Sequence, residues 1–533
     1  MRKTKIAAVI VLGVLAGWVI FNTLFDFYGG RPETPTQLMQ LDSYDEGMSL
    51  REVFETFPAY GAGRADLRLL NDNNLAWAAR WDLLDKARQS IDVSYFILKQ
   101  DVFGIAFLSH LLKKAKEGVK VRILLDAYGS RLSWDLEGND YLDALVNTGN
   151  VEIRMYRPLY DRVLQGIIHL SVAVAVASEH DKILVVDGKR AITGGRNIAK
   201  EYFSHPADAE MVFRDVEVEV SDQGAAQALT TAFETQFLSD GAEPVSSEIL
   251  NLNTQKADLN RAYQAMDSWL RGEGQGRVKE IVSEAHEWRE EMLAMAHLEG
   301  NLSTPLPPYL NAEIRVLDSA ARFGMPGDAI SLAGTRLVNS AREEIFIQNP
   351  YVMVSEETLG VFAQASKNGV PITLFTNSPE ASESIVSQAF FLEQWPYILS
   401  AVPTLKLYAN DDKQMVHAKL ASFDNIVSLI GTYNLSPLSM ATNSEIVIAV
   451  WSREFSRRLT QRPRKQLDQG RPGVYQYRIQ RHPDGSAMVN EEGAPVVAFG
   501  PKDHIDMEDN EKNKFVLGVI KSVGAAAGVS PFF

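Results

Sequence analysis

The chain predicts two duplicated α/β lobes sharing one cleft, preceded by a membrane-spanning helix. Three observations carry this. A polar motif occurs twice with identical internal spacing, the order of helices and strands repeats around each copy, and an uncharged run of 20 residues, Ile6 to Phe25, lies near the start. The first motif is His180-Asp181-Lys182, four residues, Asp187, six residues, then Gly194-Gly195-Arg196-Asn197. The second is His417-Ala418-Lys419, four residues, Asp424, six residues, then Gly431-Thr432-Tyr433-Asn434. In a chain of 533 residues with only nine His, chance does not account for two such matches.

Arg2, Lys3 and Lys5 precede the apolar run and Asp26 follows it. At about 1.5 Å per residue, a 20-residue helix just crosses a hydrocarbon core roughly 30 Å thick. The basic flank keeps the amino end in the cytoplasm and sends the remainder to the far side. No small-x-small cleavage site precedes Tyr28-Gly29-Gly30, so residues 1–28 read as an uncleaved anchor. Residues 29–65, mixing Gly, Pro, Thr and acidic residues, read as a linker.

From Asn74 to Arg88 the apolar spacing is helical, and Ile91 to Leu98 is rich in strand formers. A helix carrying Phe107, Leu108, Leu111 and Leu112 follows; Gly118 stops it, and Val119 to Leu125 is the next strand. This is α/β grammar with a largely parallel sheet. It recurs: Ala341 to Ile347 echoes Ala87 to Val93, a helix runs from Glu357 to about Lys367, and Asn368 to Phe375 echoes Glu117 to Leu124. The lobes therefore span 66–245 and 310–455, with an insertion at 246–309 and an extension at 456–533. Ala225 to Phe237 is helical, with Phe233 and Phe237 in the core. In the insertion, Arg277 to Leu298 reads as one charged helix whose His286 and His297 are surface or satisfied residues. The run Ile167 to Ala177 is too short to span a bilayer and reads as a buried strand. In the extension, Arg453, Arg457, Arg458, Arg462, Arg464 and Lys465 either meet anionic headgroups or solvate a helix end.

Alternation places His180 and Lys182 on one strand face and Asp181 on the other; His417, Lys419 and Ala418 repeat this. Two such strands side by side surround a phosphate with two imidazoles and two ammoniums. That set carries out phosphodiester transfer without a metal or cofactor. A neutral His attacks phosphorus, and a protonated His gives its proton to the leaving alcohol, then activates the acceptor. Lys182, Lys419, Asn197 and Asn434 can bind the non-bridging oxygens. Asp187 and Asp424 sit at strand-to-strand turns and read as structural anchors accepting backbone or Ser/Thr hydrogen bonds. Gly194, Gly195, Gly431 and Thr432 shape the turns that follow.

This paired motif resembles the phospholipase D superfamily, whose members build one active site from two copies. The resemblance covers residues 66–455. Through Gly194 to Phe203, Phe213-Arg214-Asp215 and Gly431 to Ser439 it is to bacterial membrane-anchored cardiolipin synthases. It implies two phospholipase D-like lobes with the site at their interface, and transfer of a phosphatidyl group between phospholipids such as phosphatidylglycerol. Hydrolysis of a phospholipid headgroup is the alternative, and a nuclease a more distant one. The family places an acidic residue downstream of each motif to tune the imidazoles, and the matching residues are Asp215 and Glu445. Within its lobe, Asp215 is the candidate partner of His180. The family's usual assignment makes His180 the nucleophile and His417 the general acid/base. Glu179 stands just before the first His, where relatives that make cardiolipin often carry a basic or amide residue.

Composition narrows the field. The chain has no Cys, which excludes thiol chemistry and zinc–thiolate sites. A net charge of -15 argues against nucleic acid as the main partner, although Lys182, Arg196, Lys200 and Lys419 could form a local basic groove. The anchor implies an inner or plasma membrane, with the lobes on the non-cytoplasmic side.

Overall fold

The computed structural model describes residues 47–130, 140–158, 161–162, 164, 177–245, 259–319, 329–467 and 472–505. The predicted anchor, the run 167–176 and the end beyond 505 lie outside them. Among the described residues no helix is long and apolar enough to cross a membrane.

Local chemistry sets the repeat. Asp72 and Asp101 cap the helices Asn73–Asp85 and Val102–Lys116, accepting from the backbone N–H groups of Leu75, and of Phe103 and Gly104. Gly118 and Gly369, with φ of 93° and 79°, end the equivalent helices of the two lobes in the left-handed region. Each hands the chain to a parallel strand, Lys120–Asp126 or Ile372–Asn377. The hairpin turns also match. Asp187 and Asp424 both have positive φ, 53° and 51°. The Asp187 carboxylate accepts from the N–H groups of Arg88, Gln89 and Ser90 at 2.7–3.1 Å. Asp424 does the same with Arg342, Glu343 and Glu344 at 2.7–3.1 Å. Both are structural anchors that tie each motif hairpin to the start of its lobe's first parallel strand.

Among the described residues a single 17-stranded sheet runs through both lobes and on to Val474–Ile479 and Val497–Phe499 of the extension, beyond Leu405–Asn410. In lobe one the order is Ala242–Pro244, Val151–Tyr156, Lys120–Asp126, Ser90–Tyr95, Lys182–Val186, Arg190–Gly194, Glu217–Ser221, Arg64–Leu70. Lobe two mirrors it, from Leu310–Ser319 through Glu445–Trp451, Val427–Gly431, Lys419–Phe423, Ile345–Gln348 and Ile372–Asn377 to Leu405–Asn410. The halves join where Arg64–Leu70 pairs antiparallel with Leu310–Ser319. The sheet is mixed, not largely parallel: in each lobe only the three strands linked through helices run parallel. The motif strands are joined by tight hairpins, which admit only antiparallel pairing.

Both sheet faces are covered. Leu184 and Val186 pack on lobe one's own helices, while Ile183 and Val185 enter a core shared with Ala418, Leu420, Ile430 and Ile446 of lobe two. The lobes thus bury apolar surface against each other, which fixes their relation. Two stretches differ from the sequence reading. Within the supposed linker, Leu50–Thr56 is a helix with a capping box between Ser49 and Glu52, and it buries Val53 and Phe54 in lobe two's core. Within the insertion, the charged helix is broken into Gly274–Ile281 and Glu287–Ala294. Arg289 takes up the freed carbonyls of Val282, Ser283 and Glu284 at 2.7–3.1 Å. Leu259, Met266, Trp269 and Met292 join lobe one's core, so the described part of the insertion is packed against that lobe. His297 lies 2.7 Å from Asp208 and stacks on His205, away from both motifs.

Arg196 does not line a basic groove. It is fully buried, donating to Leu70 O, Asn73 Oδ1 and Asp215 O and facing Glu217, which also binds the buried Arg80 at 3.0 Å. Glu217→Ala would leave two guanidiniums buried without their carboxylate. A loss of about 3–5 kcal/mol in unfolding free energy is expected by denaturant titration. A loss below about 1 kcal/mol would mean that Glu217 does not hold this buried cluster together.

Candidate active site

The residues before each motif strand pair with the opposite lobe. Gln414–Val416, leading to His417, runs parallel to Val212–Arg214, leading to Asp215. Glu179 bridges Ser444, the residue before Glu445, and the His180 N–H donates to Ser444 Oγ at 3.0 Å. The histidine and carboxylate of each ion pair therefore come from different lobes. His180 Nδ1 lies 2.9 Å from Glu445 Oε2, and His417 Nδ1 lies 2.6 Å from Asp215 Oδ2. This corrects the pairing of Asp215 with His180. Sequence proximity joined them; the pseudo-twofold relation of the lobes crosses them.

The turns after the motifs make room for this. A Cβ on Gly195 would meet the Asp215 carboxylate at 2.1 Å. At the equivalent place in lobe two, Thr432 donates its hydroxyl to Glu445, and Ser439 Oγ donates to the other carboxylate oxygen at 2.5 Å. The short Asp goes with Gly, and the long Glu with a hydroxyl. Gly431 is equally closed to a side chain, since its Cβ would meet Ile446 O at 2.1 Å, and a Cβ on Gly194 would meet Val216 O at 2.5 Å.

The asparagines differ. Asn197 accepts from the Ile97 N–H and donates to the Tyr202 hydroxyl, so both ends of its amide serve the framework and not a phosphate. Asn434 is buried with an unpartnered Oδ1, so its amide is the freer of the two to meet a ligand. Lys182 and Lys419 donate to the carbonyls of His180 and His417, each at 2.6 Å. Lys200 is held by Glu291 in the insertion.

Electrostatics is dominated by burial. It drives His180 down to about 4 against the pull of Glu445. Burial and the neighbouring Lys419 drive His417 down to about 4 despite Asp215. Lys182 and Lys419 fall to about 8, chiefly through burial. Burial opposes the ionisation of Asp215, yet Lys419, His417 and Arg196 hold it well below the usual carboxylate range. Each lysine lies within electrostatic reach of both carboxylates, Asp215 and Glu445. The two imidazoles and two ammoniums thus belong to one site. Burial lifts Glu179 to about 8; its carboxyl group lies within electrostatic reach of Lys182 and accepts from Ser94 Oγ at 2.5 Å.

A duplicated α/β fold whose paired H-x-K strands converge on one buried site is that of a phospholipase D-like enzyme. The family described as "Cardiolipin synthase, PLD-like domain" matches residues 81–236 and 335–465. The chain belongs to that family, and with it to the phosphatidyltransferase enzymes of the phospholipase D superfamily. It is 25% identical over 415 residues to cardiolipin synthase 1 of Bacillus anthracis, covering 77% of this chain and 68% of that protein. To cardiolipin synthase C of Escherichia coli K12 it is 24% identical over 420 residues, covering 75% and 84%. An uncharacterized protein of Helicobacter pylori J99 is 23% identical over 451 residues, covering 81% and 85%. The fold is shared with the crystal structure of phosphatidylserine synthase from Haemophilus influenzae Rd KW20, at TM-score 0.56 and 14% identity over 89% of this chain and 97% of that one.

Proposed function

We propose that this protein is a cardiolipin synthase-like phosphatidyltransferase that works through a phosphohistidine. The observation that carries the reading is the pair of crossed His–carboxylate contacts, Glu445 on His180 and Asp215 on His417. Each carboxylate holds Nδ1–H, which leaves Nε2 for chemistry. His180 attacks phosphorus as its P–O bond to the leaving alcohol breaks, and His417 protonates that oxygen. His417 then takes the proton of an acceptor alcohol, whose oxygen displaces His180 from phosphorus. Lys182, Lys419 and Asn434 bind the non-bridging oxygens. The anchor predicted at residues 6–25 would hold the lobes beside their lipid on the non-cytoplasmic face of an inner or plasma membrane, raising the local substrate concentration. The test is product analysis by mass spectrometry from phosphatidylglycerol, with and without phosphatidylethanolamine, in EDTA. Cardiolipin is the expected product. Phosphatidic acid alone would replace transfer with hydrolysis, and turnover of DNA without lipid turnover would overturn the lipid reading.

Burial holds both imidazoles down to about 4, which disfavours the protonated form that the general acid needs at pH 7. Lifting His417 from about 4 to 7 takes about 4 kcal/mol. One anionic charge at about 4 Å supplies that much at an effective dielectric of about 20. The arriving phosphate therefore brings in the proton its own leaving group needs. Sulfate, which does not itself titrate at pH 7, should bind with uptake of roughly half a proton, the share that an imidazole lifted to 7 carries at that pH. Calorimetry in two buffers of different ionisation enthalpy measures this. His417→Ala should abolish the uptake; identical heats in both buffers for the native protein would refute it.

A further inference from the structure

The two halves of the site match at the reacting groups and differ above them. Beside His180 stands an apolar ring, Phe96, edge-on at 5.1 Å. Beside His417, Phe213 stacks at 5.1 Å and two phenols stand edge-on, Tyr202 at 5.2 Å and Tyr351 at 6.3 Å, so among the described residues only this half carries phenol hydroxyls at the ring. The Tyr351 hydroxyl donates to the Glu383 side chain, whose carboxyl group burial shifts upward and which lies within electrostatic reach of Lys419 and Tyr202. Tyr351 lies three residues beyond the strand Ile345–Gln348, and Glu383 lies in the loop after Ile372–Asn377, so lobe two alone supplies this pair. Neither residue has a part in the transfer chemistry.

We propose that Tyr351 and Glu383 form the acceptor subsite and select an alcohol with a second, adjacent hydroxyl, such as a glycerol headgroup. This rests on the reading of His417 as the base. The acceptor oxygen must come within hydrogen-bond reach of that imidazole, so the remainder of the acceptor lies against the groups beside its ring. A carboxylate offers roughly four acceptor positions. Tyr351 occupies one, leaving capacity for the hydroxyl of a diol. A cationic headgroup fits worse, because the Lys182 and Lys419 ammoniums stand over the same phosphate position. The Phe96 side is left to the phosphatidyl donor.

The experiment uses the full-length protein with phosphatidylglycerol as donor in mixed micelles, offering isotope-labelled glycerol, 1-propanol or ethanolamine as free acceptors and reading the new phosphatidyl product by its mass. Native protein should prefer glycerol. Glu383→Gln and Tyr351→Phe should each raise KM for glycerol roughly 10- to 100-fold, the span of a hydrogen bond to a charged group. KM for 1-propanol should change less than about twofold, which a merely structural defect would not spare. Equal use of glycerol and 1-propanol by native protein, or equal KM changes for both in the variants, would overturn the subsite. Preference for ethanolamine, lost in Glu383→Gln, would replace the diol with an ammonium. Water as the sole acceptor would instead bring down the transferase reading beneath it.

Discussion

His180→Ala should lose lipid turnover by roughly 10⁴-fold or more, because it removes the imidazole assigned to form the covalent intermediate. His417→Ala should fail differently. With a natural alcohol as leaving group the first step lacks its acid, and the rate should fall by about 10²–10⁴-fold. With a nitrophenyl phosphodiester the leaving group departs without a proton. The first step is then spared, while the second lacks its base. This variant should accumulate a phosphohistidine at His180, read as a mass increment on the peptide that carries it. His180→Ala should accumulate none with either donor. An adduct on His417 in the His180→Ala protein would exchange the two roles, and no adduct in any variant would sink the covalent route.

Much of the fold was legible in the sequence because its signals are local. Gly118 and Gly369 stop equivalent helices, and the continuous apolar run Ile183 to Val186 reads as a strand, which the fold covers on both faces. Asp187 and Asp424 were readable as anchors, since a short carboxylate at a hairpin turn can reach only nearby backbone. Other features depend on partners far along the chain. The helix Leu50–Thr56 is bound by Leu317 and Ile330 of lobe two, which no window around residue 50 contains. The break after Ile281 is local by contrast: Arg289 collects the loose carbonyls of Val282 to Glu284, a side-chain role that helical periodicity does not announce.

The site divides the same way. Residue types and spacing singled out both histidines and both lysines as candidates, and the two carboxylates came from the resemblance to the family. They did not reveal which carboxylate serves which histidine, since that depends on how two similar lobes face each other. Nor did they separate Asn197 from Asn434. These are identical in the motif, yet Asn197 is committed to Ile97 and Tyr202. Tyr351 and Glu383 went unremarked because they lie outside both motifs. The repeat itself offered one signal: where lobe two has Tyr351, the aligned position in lobe one is Ile97, so the halves are unlike at that rim.

The crossed pairing makes its own prediction. Glu445→Gln should impair His180, and Asp215→Asn should impair His417. In each variant an amide replaces the carboxylate that holds Nδ1–H, so the ring can adopt the wrong tautomer, and losses of roughly 10³–10⁴-fold are expected on lipid. The nitrophenyl donor separates the two. Glu445→Gln cripples the nucleophile, so adduct formation should stay slow even when no acid is needed. Asp215→Asn cripples the acid/base, so the adduct should form at near-native rate and then persist. Pairing within each lobe would give the reverse pattern, with Asp215→Asn blocking formation and Glu445→Gln blocking breakdown. Because Thr432 and Ser439 carry hydroxyls that can rotate to serve an amide, the Gln variant keeps its local hydrogen bonds. A change in adduct kinetics can then be assigned to His180, the one contact that Gln cannot satisfy in the required tautomer.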